Sequence, residues 1–92
     1  MDLVELNKNR KIFAYEHGVS VNQVEYVFKE ELVVGETYQG NCRNASEAVW
    51  NGRVFVYDRY KFGSKYKEEI NHFEDDDGYD VFVPMKILDK SQ

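Results

Sequence analysis

From Arg53 to Phe62 apolar and polar residues alternate with a period of two, the pattern of a strand whose successive side chains point to opposite faces. Val54, Val56, Tyr60 and Phe62 share one side and are expected to face the core. Arg53, Phe55, Tyr57, Arg59 and Lys61 share the other. Gly63-Ser64 interrupts the pattern, after which Tyr66, Glu68, Ile70 and His72 alternate with Lys65, Lys67, Glu69 and Asn71, predicting a half-exposed strand. A last strand is predicted from Tyr79 to Leu88, with Tyr79, Val81, Val83, Met85 and Ile87 on one face. Pro84 has no amide hydrogen to give a ladder, so this strand is expected at an edge or with a bulge. Asn51-Gly52 and Asp77-Gly78 carry the signature of two-residue hairpin turns, which would set Trp50 opposite Arg53.

The first third of the chain follows a helical period instead. Asp2 with Glu5 makes a capping pair, and Leu3, Leu6 and Phe13 fall on one face, with Asn7 and Asn9 predicting a break near Asn9. The helix should resume over residues 11–16 and stop at Gly18, which suits the left-handed position past a helix end. Ser20 with Gln23 forms a second capping signature, and Val21, Val24, Val27 and Phe28 predict a second helix reaching about Glu31. A short strand over Leu32 to Tyr38 follows, and Ala45 to Trp50 fits either a helical turn or, as the Asn51-Gly52 after it favours, a strand. The expected fold is α+β in a single domain over residues 1–92. A helical pair over 1–31 packs on a small antiparallel meander or barrel-like sheet over 32–92.

Composition narrows the functional choices. The net charge of −5, with a sequence pI near 5.0, opposes non-specific attraction to phosphate backbones. The acid gathers at the C-terminal end, where residues 74–92 carry six Asp/Glu against two Lys/Arg. Cys42 is the single cysteine, which rules out an intrachain disulfide and fits a reducing interior. No apolar run long enough for a signal peptide or a membrane span occurs near the N-terminus, so a cytoplasmic location is expected.

Four groups of residues carry candidate chemistry. Ala14, Gly18, Val19, Ser20, Val24 and Val27 resemble the helix-turn-helix pattern of DNA-binding regulators. That resemblance implies that the second helix presents Asn22 and Gln23 to base edges, although Glu25, Glu30 and Glu31 oppose phosphate contact. The alternative is a plain αα-hairpin covering the sheet. Arg53, Phe55, Tyr57, Arg59 and Lys61 interleave cations with aromatics, a mixture that stacks bases, unless Phe55 and Tyr57 form a second buried face. In Glu74, Asp75, Asp76, Asp77, Tyr79 and Asp80 the spacing rejects a calcium loop, because Gly78 at the glycine position would put Phe73 first and Pro84 last. Such carboxylates either form a solvated hairpin tip or imitate nucleic-acid charge before a basic groove. Cys42, His17 and His72 match no spacing for a nucleophile and base or for a zinc site, so no metal, cofactor or catalytic residue is assigned.

Cys42-Arg43-Asn44-Ala45, Trp50-Asn51-Gly52, Lys61-Phe62-Gly63 and the acidic run 74–80 resemble small uncharacterised proteins carried by phages of Gram-positive bacteria. The resemblance implies accessory work of the anti-CRISPR or anti-defence type in a bacterial host cell. The reading that follows is a non-enzymatic inhibitor whose acidic residues and Tyr79 bind a host protein that handles nucleic acid. A helix-turn-helix transcriptional regulator is the alternative.

Overall fold

The computed structural model describes residues 2–42, 45–75 and 80–88. It is α+β, as the pattern predicts, with one helix where two are expected. Among the described residues the sheet has six strands: β1 (Val24–Tyr26), β2 (Thr37–Asn41), β3 (Glu47–Trp50), β4 (Phe55–Lys61), β5 (Ser64–His72) and β6 (Val81–Ile87). The helix α1 (Leu3–Glu16) packs on β1, β2 and β6. The strand order is β1-β6-β2-β3-β4-β5, and β5 also pairs with β6, so five strands close into a near-complete ring with β1 beside it. All pairings are antiparallel except β5 with β6. No described helix is long and apolar enough to cross a membrane.

Helix α1 starts where Asp2 accepts a hydrogen bond from the Glu5 amide at 2.9 Å, as the capping pair predicts. It does not break at Asn9. Asn9 bonds back to the Glu5 carbonyl, its own carbonyl accepts from the Asn41 side chain, and Arg10 donates to the Val21 carbonyl. Asn9, which weakens intrinsic propensity, thus ties the helix to β2, while Arg10 ties it to the turn at Val21. At the other end Gly18 has φ +65°, with the Val19 amide on the Ala14 carbonyl and the Gly18 amide on the Tyr15 carbonyl, a Schellman closure.

The expected second helix is absent. The Ser20/Gln23 capping box forms, but it closes a single 3-10 turn over Val21–Gln23, and the chain then extends as β1. Val24 is buried, Glu25 exposed, and Val27 buried. Three β-branched valines favour extension, and β6 offers a free ladder with Val24↔Ile87, Glu25↔Lys86 and Tyr26↔Met85. Tertiary pairing therefore overrides a helical spacing that the same residues happen to satisfy. A second 3-10 turn (Lys29–Glu31) follows.

The sheet departs from expectation in register more than in content. Gly35 at φ +90° turns the chain, so the strand predicted over Leu32–Tyr38 begins at Thr37. Asn51 folds its side chain over the Arg53 and Val54 amides, both at 2.9 Å, and the loop becomes four residues long. Trp50 therefore faces Phe55, not Arg53. For the aromatic rings the inward face of β4 is the reverse of the expected one: Phe55 and Tyr57 are buried, while Tyr60 and Phe62 are exposed; of the residues expected in the core, Val54 is buried and Val56 half-buried. A two-residue turn with positive φ at both positions occurs instead at Phe62-Gly63, with φ of 52° and 78°. Asp77-Gly78 lies outside the described residues. Because β5 and β6 run parallel, their connection is not a hairpin.

Strand β6 divides two cores. Val81, Val83 and Met85 meet Phe13, Ala14, Val24 and Phe73 on the helix side. Phe82 points into the ring with Trp50, Phe55, Tyr57 and Ile70. A strand covered on both faces reads as a continuous apolar run, which is what Val81–Met85 is. Pro84 sits in this interior strand, bounded by β1 and β2, and not at an edge. On the β2 side Gly40 lies opposite Pro84, and a Cβ at position 40 would collide with the Val83 carbonyl oxygen and stand 2.9 Å from the Pro84 Cα.

On the β1 side the Val27 amide donates to the Pro84 carbonyl at 2.9 Å, but the return bond from Pro84 cannot exist. The Val27 carbonyl instead accepts from Nε2 of His72 at 3.0 Å. The Glu74 amide donates to Nδ1 at 3.0 Å, which fixes the ring as the neutral Nε2–H tautomer. The imidazole is fully buried between Phe55 and Phe73, with ring centroids 6.0 and 4.3 Å away.

Two outcomes follow. Gly40→Ala should cost about 2 kcal/mol through forced separation of β2 and β6, seen as a drop of roughly 10 °C in thermal midpoint. Burial holds the His72 pKa below its ordinary 6.5, so the unfolded chain binds this proton first. The stability it confers is complete above pH 6.5 and is lost as pH falls from there toward the folded-state value. Glu31, Glu68 and Asp58 have their pKa values lowered from 4.5, 4.5 and 3.8, so their contributions fade only in more acid solution. Urea unfolding between pH 7 and about 5.5 should show a loss in the wild type that is reduced in His72→Gln, whatever the variant's starting stability.

Candidate functional site

Of the predicted acidic residues, Glu74 and Asp75 are brought together with others that the sequence had separated. A 3-10 turn over Phe73–Asp75 follows β5 and presents Glu74 and Asp75 toward the turn at Lys29–Glu31. The Lys29 ammonium bridges Asp75 at 2.7 Å, and the Lys29 amide donates to Glu74 at 2.6 Å. Lys86 on β6 reaches Glu31 at 3.0 Å and Glu25 on β1 at 3.5 Å. Glu31 also accepts from the Phe28 amide at 2.9 Å. This backbone bond, and then Lys86, keep its carboxyl below the usual carboxylate range, while Lys86 is raised in turn.

Four carboxylates from three stretches of chain are thus held in place, Glu25, Glu31 and Asp75 by two ammonium groups and Glu74 by the Lys29 amide, with the exposed Glu30 in the same turn. The arrangement is a fixed surface of negative excess. Such exposed pairs add little stability, because water and salt screen them, so their consequence is positional. The sequence had marked Glu25, Glu30 and Glu31 only as obstacles to DNA contact. The adjacency of Glu30 and Glu31 was visible, but the fold that carries them to Glu74 was not.

Asp80 is exposed at the entry to β6 and lines a shallow cleft with Tyr57, Arg59, Glu68 and Asn71. Asp76, Asp77 and Tyr79 lie outside the described residues. Beside that cleft the Tyr57 hydroxyl donates to Glu68, and Arg59 reaches the same carboxylate at 3.0 Å. The hydroxyl bond first, and then Arg59, hold Glu68 below the usual range.

The proposed base-reading positions are not presented to a groove. Asn22 is exposed on a 3-10 turn, and Gln23 is committed internally, accepting from the Ser20 amide and donating to the Leu88 carbonyl. A helix-turn-helix needs a second helix to carry such side chains, and residues 24–26 are a strand. The face built on Arg53, Phe55, Tyr57, Arg59 and Lys61 is also divided. Phe55 is 0 % exposed and Tyr57 6 %, so neither ring can stack on a base. Arg53 pairs with Glu69 at 3.6 Å, and Lys61 is exposed. The alternative reading, a second buried face, is the one realised, although the rings pack inside the sheet and not under the helix.

The candidate catalytic groups are each engaged elsewhere. Nδ1 of His17 lies 2.9 Å from the Phe13 carbonyl oxygen, and the ring stacks on Phe13 at 3.9 Å. The Cys42 thiol donates to the Ala45 carbonyl at 3.3 Å. His72 is sealed in the core. Among the described residues no three His, Cys, Asp or Glu side chains form a group that could hold a metal ion. The chain matches no protein-family model, no curated protein and no solved structure.

Proposed function

We infer that the chain is a non-enzymatic binding protein whose acidic face docks in the basic groove of a host protein that handles nucleic acid. The phage resemblance makes the anti-defence setting in a bacterial cell the natural one. The observation that carries this reading is the placement of Glu25, Glu31, Glu74 and Asp75 in two ion-pair groups, one on Lys29 and one on Lys86, that adjoin through the Lys29–Glu31 turn. Pinned carboxylates lose little rotamer freedom on docking, so more of the electrostatic attraction survives as affinity. The same face steers encounter with a positively charged partner and repels nucleic acid, which leaves a protein groove as the favoured occupant. The burial of the His72 ring and the bond from the Cys42 thiol to the Ala45 carbonyl support a role without chemistry for these two residues. The transcriptional-regulator alternative has lost its second helix and is set aside.

The test is affinity capture of the tagged protein from nuclease-treated lysate of a Gram-positive host, followed by a salt titration of the captured complex. Replacing Glu25, Glu30 and Asp75 by their amides should weaken capture about tenfold and flatten its salt dependence, with the thermal midpoint little changed. Equal capture by wild type and variant across the salt range would remove the acidic face from the mechanism.

A further inference from the structure

The β4–β5 hairpin extends beyond the core it helps to close. From Asp58 to Lys67 every residue is exposed or half-exposed, whereas Phe55, Tyr57, Ile70 and His72 at its base are buried. The register is unbroken to the tip, with Arg59↔Tyr66, Tyr60↔Lys65 and Lys61↔Ser64. The molecule is correspondingly elongated, 44 Å by 27 Å by 24 Å.

The composition of this projection is opposite to that of the chain. Residues 58–67 hold Arg59, Lys61, Lys65 and Lys67 against one carboxylate, Asp58, in a protein of net charge −5. Lys65 and Lys67 share that carboxylate at 3.3 and 2.5 Å, so one positive charge of the three remains in excess. Lys61 is exposed, feels the Glu68 carboxylate only as a minor Coulombic neighbour, and lies 5.7 Å from the Phe62 ring centroid. Three aromatic rings stand among the cations: Tyr60 is 70 % exposed, Tyr66 36 % and Phe62 95 %. Phe62 also occupies the left-handed region at φ 52°, where glycine or asparagine is the comfortable residue. A bulky ring held at the outermost point in a disfavoured backbone state gains nothing from burial. Its value lies in what it can touch.

We propose that the β4–β5 hairpin is a single-strand nucleic-acid-binding finger, with Phe62 stacking on a base and Lys61, Lys65 and Lys67 along the phosphates. Exposed aromatics interleaved with cations are the chemistry of base stacking beside backbone attraction. An acidic protein surface would use the cations but leave three rings without a planar partner. Single strands fit better than duplex, because a wedge must unstack a duplex step and this finger has few cations to offset that cost. The net negative charge of the chain does not forbid the contact. The carboxylates near the finger are each met by a cation, Asp58 by Lys65 and Lys67, Glu68 by Arg59 and Glu69 by Arg53. The acidic turn at Glu74 begins only past His72, roughly 26 Å along the strand from Ser64, about three screening lengths at physiological salt. This surface is separate from the acidic face and does not depend on its role.

Fluorescence anisotropy of labelled oligothymidylate of about 12 nucleotides, at about 50 mM salt, tests the finger on the intact protein. The wild type should bind with a dissociation constant of about 100 µM or tighter, and more tightly than to a duplex of equal length. Phe62→Asn should lower affinity at least fivefold, the low end for loss of one stacked base. Its thermal midpoint should stay equal or rise, since Asn-Gly suits this turn better than Phe-Gly. Lys61→Gln should make binding less steep in salt. No binding by the wild type, equal binding by Phe62→Asn, or preference for duplex would overturn the proposal.

Discussion

Pro84 removes a backbone donor from the most enclosed strand of the fold, and the His72 imidazole supplies the missing hydrogen bond. A buried carbonyl left without a partner costs about 1–3 kcal/mol, so the Val27 carbonyl would otherwise be a serious liability. His72 meets it from β5, and its second nitrogen receives the Glu74 amide, which starts the acidic turn. One side chain therefore joins β1, β5, β6 and the Phe73–Asp75 turn. With Gly40 permitting close approach from β2, the ring closes around a strand that cannot complete its own ladder. The orientation of Glu74 and Asp75 on the surface is set by this buried arrangement.

Much of the element content could be read from the chain because it rests on local chemistry. Asp2 as a cap, Gly18 as a left-handed stop, the alternation along β5 and Val81, Val83 and Met85 of the expected β6 face all appear where short-range rules place them, while Ile87 is exposed. The failures share a cause. Val21, Val24 and Val27 satisfy a helical spacing and a strand propensity at once, and only the open ladder of β6 decides between them. The inward face of β4 turned on loop length: Asn51 lengthened a two-residue turn to four, and the ring interior took Phe55 and Tyr57 because Trp50 stood opposite. Neither constraint is encoded near the residues it governs.

The acidic site was legible in part for the same reason. The run beginning at Glu74 announces itself, but Glu25 and Glu31 join it only through Lys86 and the pairing of β1 with β6. Likewise Arg59 and Lys61 were singled out, yet their proper companions are Tyr60, Phe62 and Tyr66, which the expected core face had hidden. Reversing one strand's faces exchanges the buried and displayed aromatics, and with them the surface available for binding.

That exchange explains why the far half of the β4–β5 hairpin is informative. A two-stranded ribbon without a packed face is marginal in water, and residues 58–67 contribute no side chain to either core. What holds them is the continuous ladder and cross-strand attraction, with Asp58 between two lysines and Glu68 receiving Arg59 and Tyr57. The turn itself is made worse by Phe62, where asparagine would serve the backbone better. A segment built for stability alone would be shorter and would end in a polar turn. The extension, the exposed rings and the excess of cations all detract from folding, and they have a common physical use only where an aromatic, positively charged tip meets a partner.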